Sequence, residues 1–259
     1  MRGHPGRFGL RLLAAIVVVG VVAGAVIAAA FGDSGSSPMV DVDPRRASVT
    51  PVGTQALAPT ADVAAASPTP VPDITGFAFP IEGACLPRDD SLVPGALREY
   101  RNAIHEGLDL YDSDNCTPIG LGTEVQAAKA GMVVRADWAY EGLTEETLAD
   151  LEARIEREGT SNPAVEDAFR GRQVWIDHGD GVISRYAHLS AIVDGIVPGA
   201  AVEAGQLIAY VGDSGTPESV REPGTENHLH FEIRVGDAFL GEDESPEEVR
   251  RLYERAFAP

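Results

Sequence analysis

His228-Leu229-His230-Phe231-Glu232 alternates polar and apolar side chains, a period of two that an extended strand converts into two faces. Both imidazoles and the Glu232 carboxylate fall on one side, and Leu229 and Phe231 are sent into a core. The stretch Ile104-His105-Glu106-Gly107-Leu108-Asp109-Leu110 carries the same pattern. It puts His105, Gly107 and Asp109 on one face and Ile104, Leu108 and Leu110 inward. One His–Asp pair and one His-x-His pair, each on a single face, offer the imidazole and carboxylate ligands that zinc prefers. Any one of these histidines alone reads better as a half-buried strand residue; the spacing of the set favours a metal.

The surrounding chain supports a β framework. Met132–Ala136, Gln173–Asp177, Val182–Ala187, Leu207–Val211 and Leu229–Val235 read as short strands. Turn signals fall at Gly179-Asp180-Gly181, Pro198-Gly199 and Gly205. Two helices interrupt it. Residues 143–157 place Leu143, Leu148, Leu151 and Ile155 near helical spacing, inside an insertion spanning about 142–170. Ser245-Pro246-Glu247-Glu248 is a helix start, with an N-cap serine, proline in the first turn and glutamate three residues after the cap. That helix is expected to run to about Ala256. The expectation is a mainly β domain over 76–259, an antiparallel sheet or sandwich with a helical insertion and a C-terminal helix.

HxxxD over His105–Asp109, Tyr186-Ala187-His188-Leu189-Ser190 and His228-Leu229-His230, in that order, resemble the lysostaphin/LytM-type zinc metalloendopeptidases. The glycine-punctuated segments Val125–Arg135 and Val197–Gly212 look like strands of that family, and the likeness covers roughly residues 76–237. The resemblance implies the duplicated hybrid motif as the fold and one Zn2+ per domain, ligated by His105, Asp109 and His230. It implies that His188 and His228 flank the position of the reacting water as catalytic groups. Members of the family cleave peptide cross-links of bacterial cell walls, so peptidoglycan cross-links or stem peptides are the implied substrate. Whether a protein activator is needed is left open. Glu232 would orient a ligand histidine. Tyr100 and Arg101, just upstream of His105, could reach a substrate carbonyl or simply pack at a groove edge. His178, in Asp177-His178-Gly179, is read as structural. The departure from the family is the insertion, which either walls the groove or decorates it.

Some members of the family lose a ligand and serve as non-catalytic regulators or scaffolds at the cell envelope; here every ligand is present, which favours hydrolysis. The glycine-spaced strands also resemble lipoyl/biotinyl carrier modules, with Lys129 as the residue to be modified, but that leaves five histidines unexplained. Gly212-Asp213-Ser214-Gly215 looks like a serine-protease nucleophile motif, yet the same four letters recur at 32–35, and a turn is the better reading.

Of 40 acidic against 20 basic side chains, the formal net charge of −20 falls wholly within 76–259, because residues 1–75 carry equal numbers of each sign. So acidic a domain repels polyphosphate, which argues against nucleic acid as a partner. Ahead of it, Arg2, Arg7 and Arg11 precede the uncharged run 12–31, long enough as a helix to span a hydrocarbon core of roughly 30 Å. The positive-inside rule leaves the tail 1–11 in the cytoplasm and exports the rest. The alternative is a cleaved signal peptide ending near Ala28-Ala29-Ala30, which releases the domain. A linker over 32–75, with prolines scattered from Pro38 to Pro72, reaches roughly 35–40 Å as a flexible chain. Cys85 and Cys116, both beyond the apolar run, are expected to form a disulfide in an oxidising compartment. A membrane-impermeant protease added to intact cells is expected to digest the 76–259 domain. Protection until lysis contradicts the topology, and a mature N-terminus after Ala30 turns the anchor into a signal peptide.

Overall fold

A computed structural model describes residues 74–160 and 162–258. The tail 1–11, the apolar run 12–31 and all but the last two residues of the linker 32–75 lie outside the described residues. Among the described residues no helix is long and apolar enough to cross a membrane.

The strands in chain order are β1 (Leu97–Arg98), β2 (Ala103–Ile104), β3 (Leu108–Leu110), β4 (Glu124–Gln126), β5 (Gly131–Ala136) and β6 (Val174–Asp177). They continue with β7 (Val182–Ala187), β8 (Leu189–Ile192), β9 (Ala201–Val202), β10 (Leu207–Val211), β11 (Leu229–Val235) and β12 (Ala238–Phe239). All pairings are antiparallel. A seven-stranded sheet runs β12-β11-β7-β6-β5-β9 with β3 also on β11; a three-stranded sheet runs β4-β10-β8, and β1 and β2 form a hairpin. One core joins the two larger sheets, with Val125, Leu189, Ile208 and Val211 from the smaller packed with Leu108, Val174, Tyr186 and Phe231 from the larger. This is the mainly antiparallel β fold expected from the alternating runs.

The helices follow their end signals. α1 (Glu145–Glu158) starts on a Thr144–Thr147 capping box and stops at Gly159, whose φ of 72° is the left-handed cap that glycine adopts without strain. α2 (Pro163–Arg170) starts on Asn162, whose side chain accepts from the Ala164 and Val165 N–H groups. α3 (Glu218–Arg221) is one turn, and α4 (Pro246–Ala256) is capped by Ser245 as the sequence indicates. Leu148, Leu151 and Ile155 of α1 bury against Val165 and Phe169 of α2 in a small core of their own, with Val220 of α3 packed on it. The insertion is thus two helices rather than one, with its own apolar seam.

One inward assignment is corrected. Ile104 is 45% exposed, whereas Leu108 and Leu110 are buried. No single strand runs from 104 to 110. Ile104 pairs with Leu97 in the hairpin, and regular pairing with β11 resumes only at Leu108. Gly107 lies so close to β11 that a Cβ there would sit 2.6 Å from the Phe231 carbonyl oxygen and 2.9 Å from the His230 ring. The strand is thus interrupted between Ile104 and Leu108, and the period of two does not carry across the break.

Cys85 and Cys116 form a disulfide. The loop it closes holds β1, β2, β3, His105 and Asp109. Closing a loop with a sequence separation of 31 stabilises by about 3–4 kcal/mol on the chain-entropy argument. Cys85→Ser with Cys116→Ser is therefore expected to lower unfolding stability by that amount in urea titration; a loss under about 1 kcal/mol contradicts the constraint.

Candidate metal centre

His105, just after β2, Asp109 on β3 and His230 on β11 meet in the lining of a cleft of about 1030 Å³. The register places His230 directly opposite Asp109. His105 Nε2 and His230 Nδ1 are 3.0 Å apart. Asp109 Oδ1 lies 2.9 Å from the first and 2.8 Å from the second. These three are the only set of metal-capable side chains found converging among the described residues.

Each histidine has its remote nitrogen committed. His105 Nδ1 donates to the Val93 carbonyl at 3.1 Å, and His230 Nε2 donates to Glu232 Oε1 at 3.0 Å. Because those oxygens only accept, His105 Nε2 and His230 Nδ1 are left to face one another and Asp109 as lone pairs. Two nitrogen lone pairs and a carboxylate oxygen closing on one point repel unless a positive charge lies between them. The donor set fits a divalent metal such as zinc, and its 2.8–3.0 Å edges are within about 0.5 Å of the roughly 3.3 Å that tetrahedral zinc geometry sets.

The electrostatics agree. Burial pushes the His105 imidazole down to about 4, against the pull of Asp109, so it is neutral at neutral pH. Burial opposes ionisation of Asp109, but the imidazoles of His105 and His228 beside it outweigh that and hold its carboxyl well below the usual range. His230 moves the other way. Burial lowers it, yet Asp109 and Glu232 on its two nitrogens outweigh that and raise it. The two carboxylates flanking His230 thus favour positive charge at its ring.

Two further histidines line the cleft. His188 sits between β7 and β8 in the left-handed region, at φ 58°. Its N–H donates to the Arg170 carbonyl at 2.9 Å and its Nδ1 to the Ser214 carbonyl at 2.8 Å. The turn expected at Gly212–Gly215 lies one residue on, closed by Thr216 N–H on the Asp213 carbonyl, and its Ser214 carbonyl orients an imidazole. His228 Nδ1 donates to the Glu226 carbonyl at 2.7 Å, and its Nε2 is 3.7 Å from Asp109 Oδ1. Tyr111 stacks on the His228 ring at 4.2 Å and donates its hydroxyl to Glu226. Burial lowers both histidines; for His188 the neighbouring His228 and His230 add to it, whereas for His228 Asp109 opposes it.

The other sequence candidates divide. Glu232 touches His230, as above. Tyr100 lines the cleft, edge-on to Phe169 at 5.4 Å. Arg101 is buried, donates to the Ile104 carbonyl at 3.1 Å and lies 3.7 Å from Glu166 of α2. His178 lies outside the cleft; its ring nitrogens meet the Ala130 carbonyl at 2.9 Å and the Ser184 hydroxyl at 2.8 Å. Lys129 donates to the Thr75 carbonyl at 2.8 Å. Sequence reasoning missed Arg98, which donates to Asp109 Oδ2 at 2.5 Å, and it missed Tyr111 and Arg170. A lone arginine or tyrosine off any motif carries no local signal. The insertion does wall the cleft, through Glu166, Phe169 and Arg170.

Peptidase family M23 matches residues 104–241, just over half of the chain, and the chain belongs to that family. The resemblance read from the three histidine motifs is borne out by this match. Among solved structures, a zinc-containing peptidase from Vibrio cholerae is similar at 21% identity and TM-score 0.40, covering 63% of this chain and 38% of its own. A putative peptidase M23 from Pseudomonas aeruginosa follows at 20% and 0.37, covering 68% and 51%. The catalytic domain of lysostaphin from Staphylococcus simulans is similar at 22% and 0.37, covering 61% and 89%. The chain thus spans about two fifths and one half of the first two. No curated protein matches it.

Gly171, where α2 ends, has φ 66°, and a Cβ there would lie 2.1 Å from the Ser214 carbonyl oxygen that holds His188. Gly171→Ala is expected to destabilise by about 2–5 kcal/mol, adding left-handed strain to overpacking. The midpoint of chemical unfolding measures it, and an unchanged midpoint contradicts the close packing.

Proposed function

We propose that the 76–259 domain is a zinc-dependent peptidase that hydrolyses peptide bonds of bacterial cell-wall peptidoglycan. One observation carries the reading. Each of four buried histidines has one ring nitrogen tied to an oxygen acceptor, so the other nitrogens, two of them beside Asp109, are left for a cation and a substrate. Membership of Peptidase family M23 supports it. His105, Asp109 and His230 would hold the metal. When bound, it supplies Lewis acidity, activating water and polarising the scissile carbonyl.

The rest falls to the chain's own groups. His188, neutral and with its proton on Nδ1, accepts a proton at Nε2 and passes it to the leaving amine. His228, with a carboxylate oxygen 3.7 Å from Nε2 to balance a charge, donates from that nitrogen to the developing oxyanion once protonated. The cleft walls, Tyr100 and Phe169 on one side and Thr216 and Pro217 among the others, orient a peptide and exclude water. The positive-inside argument supports a place outside the cytoplasmic membrane, with residues 12–31 as the anchor.

Purified protein is expected to clear cell-wall peptidoglycan in a zymogram, and chelator is expected to stop it. His188→Ala should keep one zinc and lose about 10²–10⁴-fold in turnover, whereas His230→Ala should lose metal and activity together. Zinc-loaded wild type that opens no bond in any cell wall tried, with His188→Ala leaving cellular phenotypes intact, replaces this reading with a non-catalytic regulator.

A further inference from the structure

We propose that Arg170, at the end of the helical insertion, is a positioning residue for the metal centre, acting through Glu232; this rests on His230 being a metal ligand. Glu232 has no exposed surface. Its Oε2 receives Arg234 Nη1 at 3.1 Å and Arg185 Nη1 at 3.4 Å. Both come from the sheet itself, since Arg185 pairs directly with Glu232 across β7 and β11. Its Oε1 receives His230 Nε2 at 3.0 Å and Arg170 Nε at 2.7 Å. Among the described residues Arg170 alone reaches Glu232 from outside the sheet, and it shares the one oxygen that sets the His230 ring.

The same guanidinium also touches Glu106 through Nη2, the residue after His105, and Glu106 in turn takes Arg234 Nη1 at 3.2 Å. One planar group thus fastens the segment carrying His105 to the carboxylate that orients His230. Lysine, with a single ammonium, does not reproduce that two-sided fork. The backbone at this point acts on a third histidine, because the Arg170 carbonyl accepts the His188 N–H and the next residue, Gly171, packs on Ser214. The place where the insertion rejoins the sheet therefore sets how the imidazoles face, so the insertion builds the centre as well as walling its cleft.

Metal affinity of the purified protein, measured for zinc by competition with a chromophoric chelator, tests this together with the visible spectrum of the cobalt-loaded form. Arg170→Met and Glu232→Gln are each expected to weaken zinc binding about 10–100-fold and to alter the cobalt spectrum. The double variant should lose no more than the weaker single one, because the two residues act as one unit. Arg170→Lys keeps the buried charge balanced, guarding against misfolding, and is expected still to lose about tenfold. Glu152→Gln, which breaks only the exposed tie from α1 to Arg221, should bind zinc as wild type does. Folded Arg170 variants with wild-type affinity and cobalt spectrum overturn the proposal, as do losses that multiply in the double variant. Wild type that binds no zinc, or binds it equally well as His230→Ala, overturns the metal-site reading itself and this proposal with it.

Discussion

A carboxylate sealed from water has to be met by charge, and Glu232 is met by three guanidinium groups and one imidazole. Taking such a group out of solvent costs several kcal/mol unless its oxygens are fully engaged. Burial works to raise its pKa, yet Arg170, His230 and Arg185 hold it well below the ordinary range, so it stays ionised. Much else follows from that requirement. It fixes the side chains of β7 and β11 on the face beneath the cleft, draws the end of α2 onto the sheet, and leaves His230 one orientation in which Nδ1 points at Asp109.

Asp109 poses the same problem one strand away and meets it differently. Oδ2 takes Arg98 from the hairpin, and Oδ1 lies against two imidazole nitrogens. One oxygen is satisfied by an arginine, and the other faces the two imidazole nitrogens of the candidate metal centre. The disulfide closes the loop that carries both His105 and Asp109, so the constraint on the unfolded chain and the geometry of the centre fall on the same segment. The outward ties of His105, His188 and His228 end on backbone carbonyls, groups whose positions are set by the fold. Such ties hold ring orientations before any ligand arrives, which is what a preorganised site requires.

Much of this was present in local pattern. β7, β10 and β11 coincide with their expected spans, and α4 starts on the serine its capping signal named. These succeed because strand alternation and helix capping act over a few neighbouring residues. Ile104 fails for the complementary reason: it pairs with Leu97 in a separate hairpin, a non-local arrangement that the period of two does not encode. α2 gave little periodic signal in its eight residues; its burial comes from the seam with α1.

The amino-acid sequence by itself determined the types of side chain at the centre, their grouping into single-faced pairs, the cysteine pairing and the mainly β class. All of these follow from spacing along the backbone or from the residues available. Only the tertiary structure decided which nitrogen of each imidazole faces inward, that Arg98 secures Asp109, that Ser214 serves through its carbonyl, and that Arg170 reaches Glu232 across a separation of 62 residues. The physical reason is that a hydrogen bond or ion pair forms wherever packing brings donor and acceptor together, and no local periodicity encodes where two distant segments will meet.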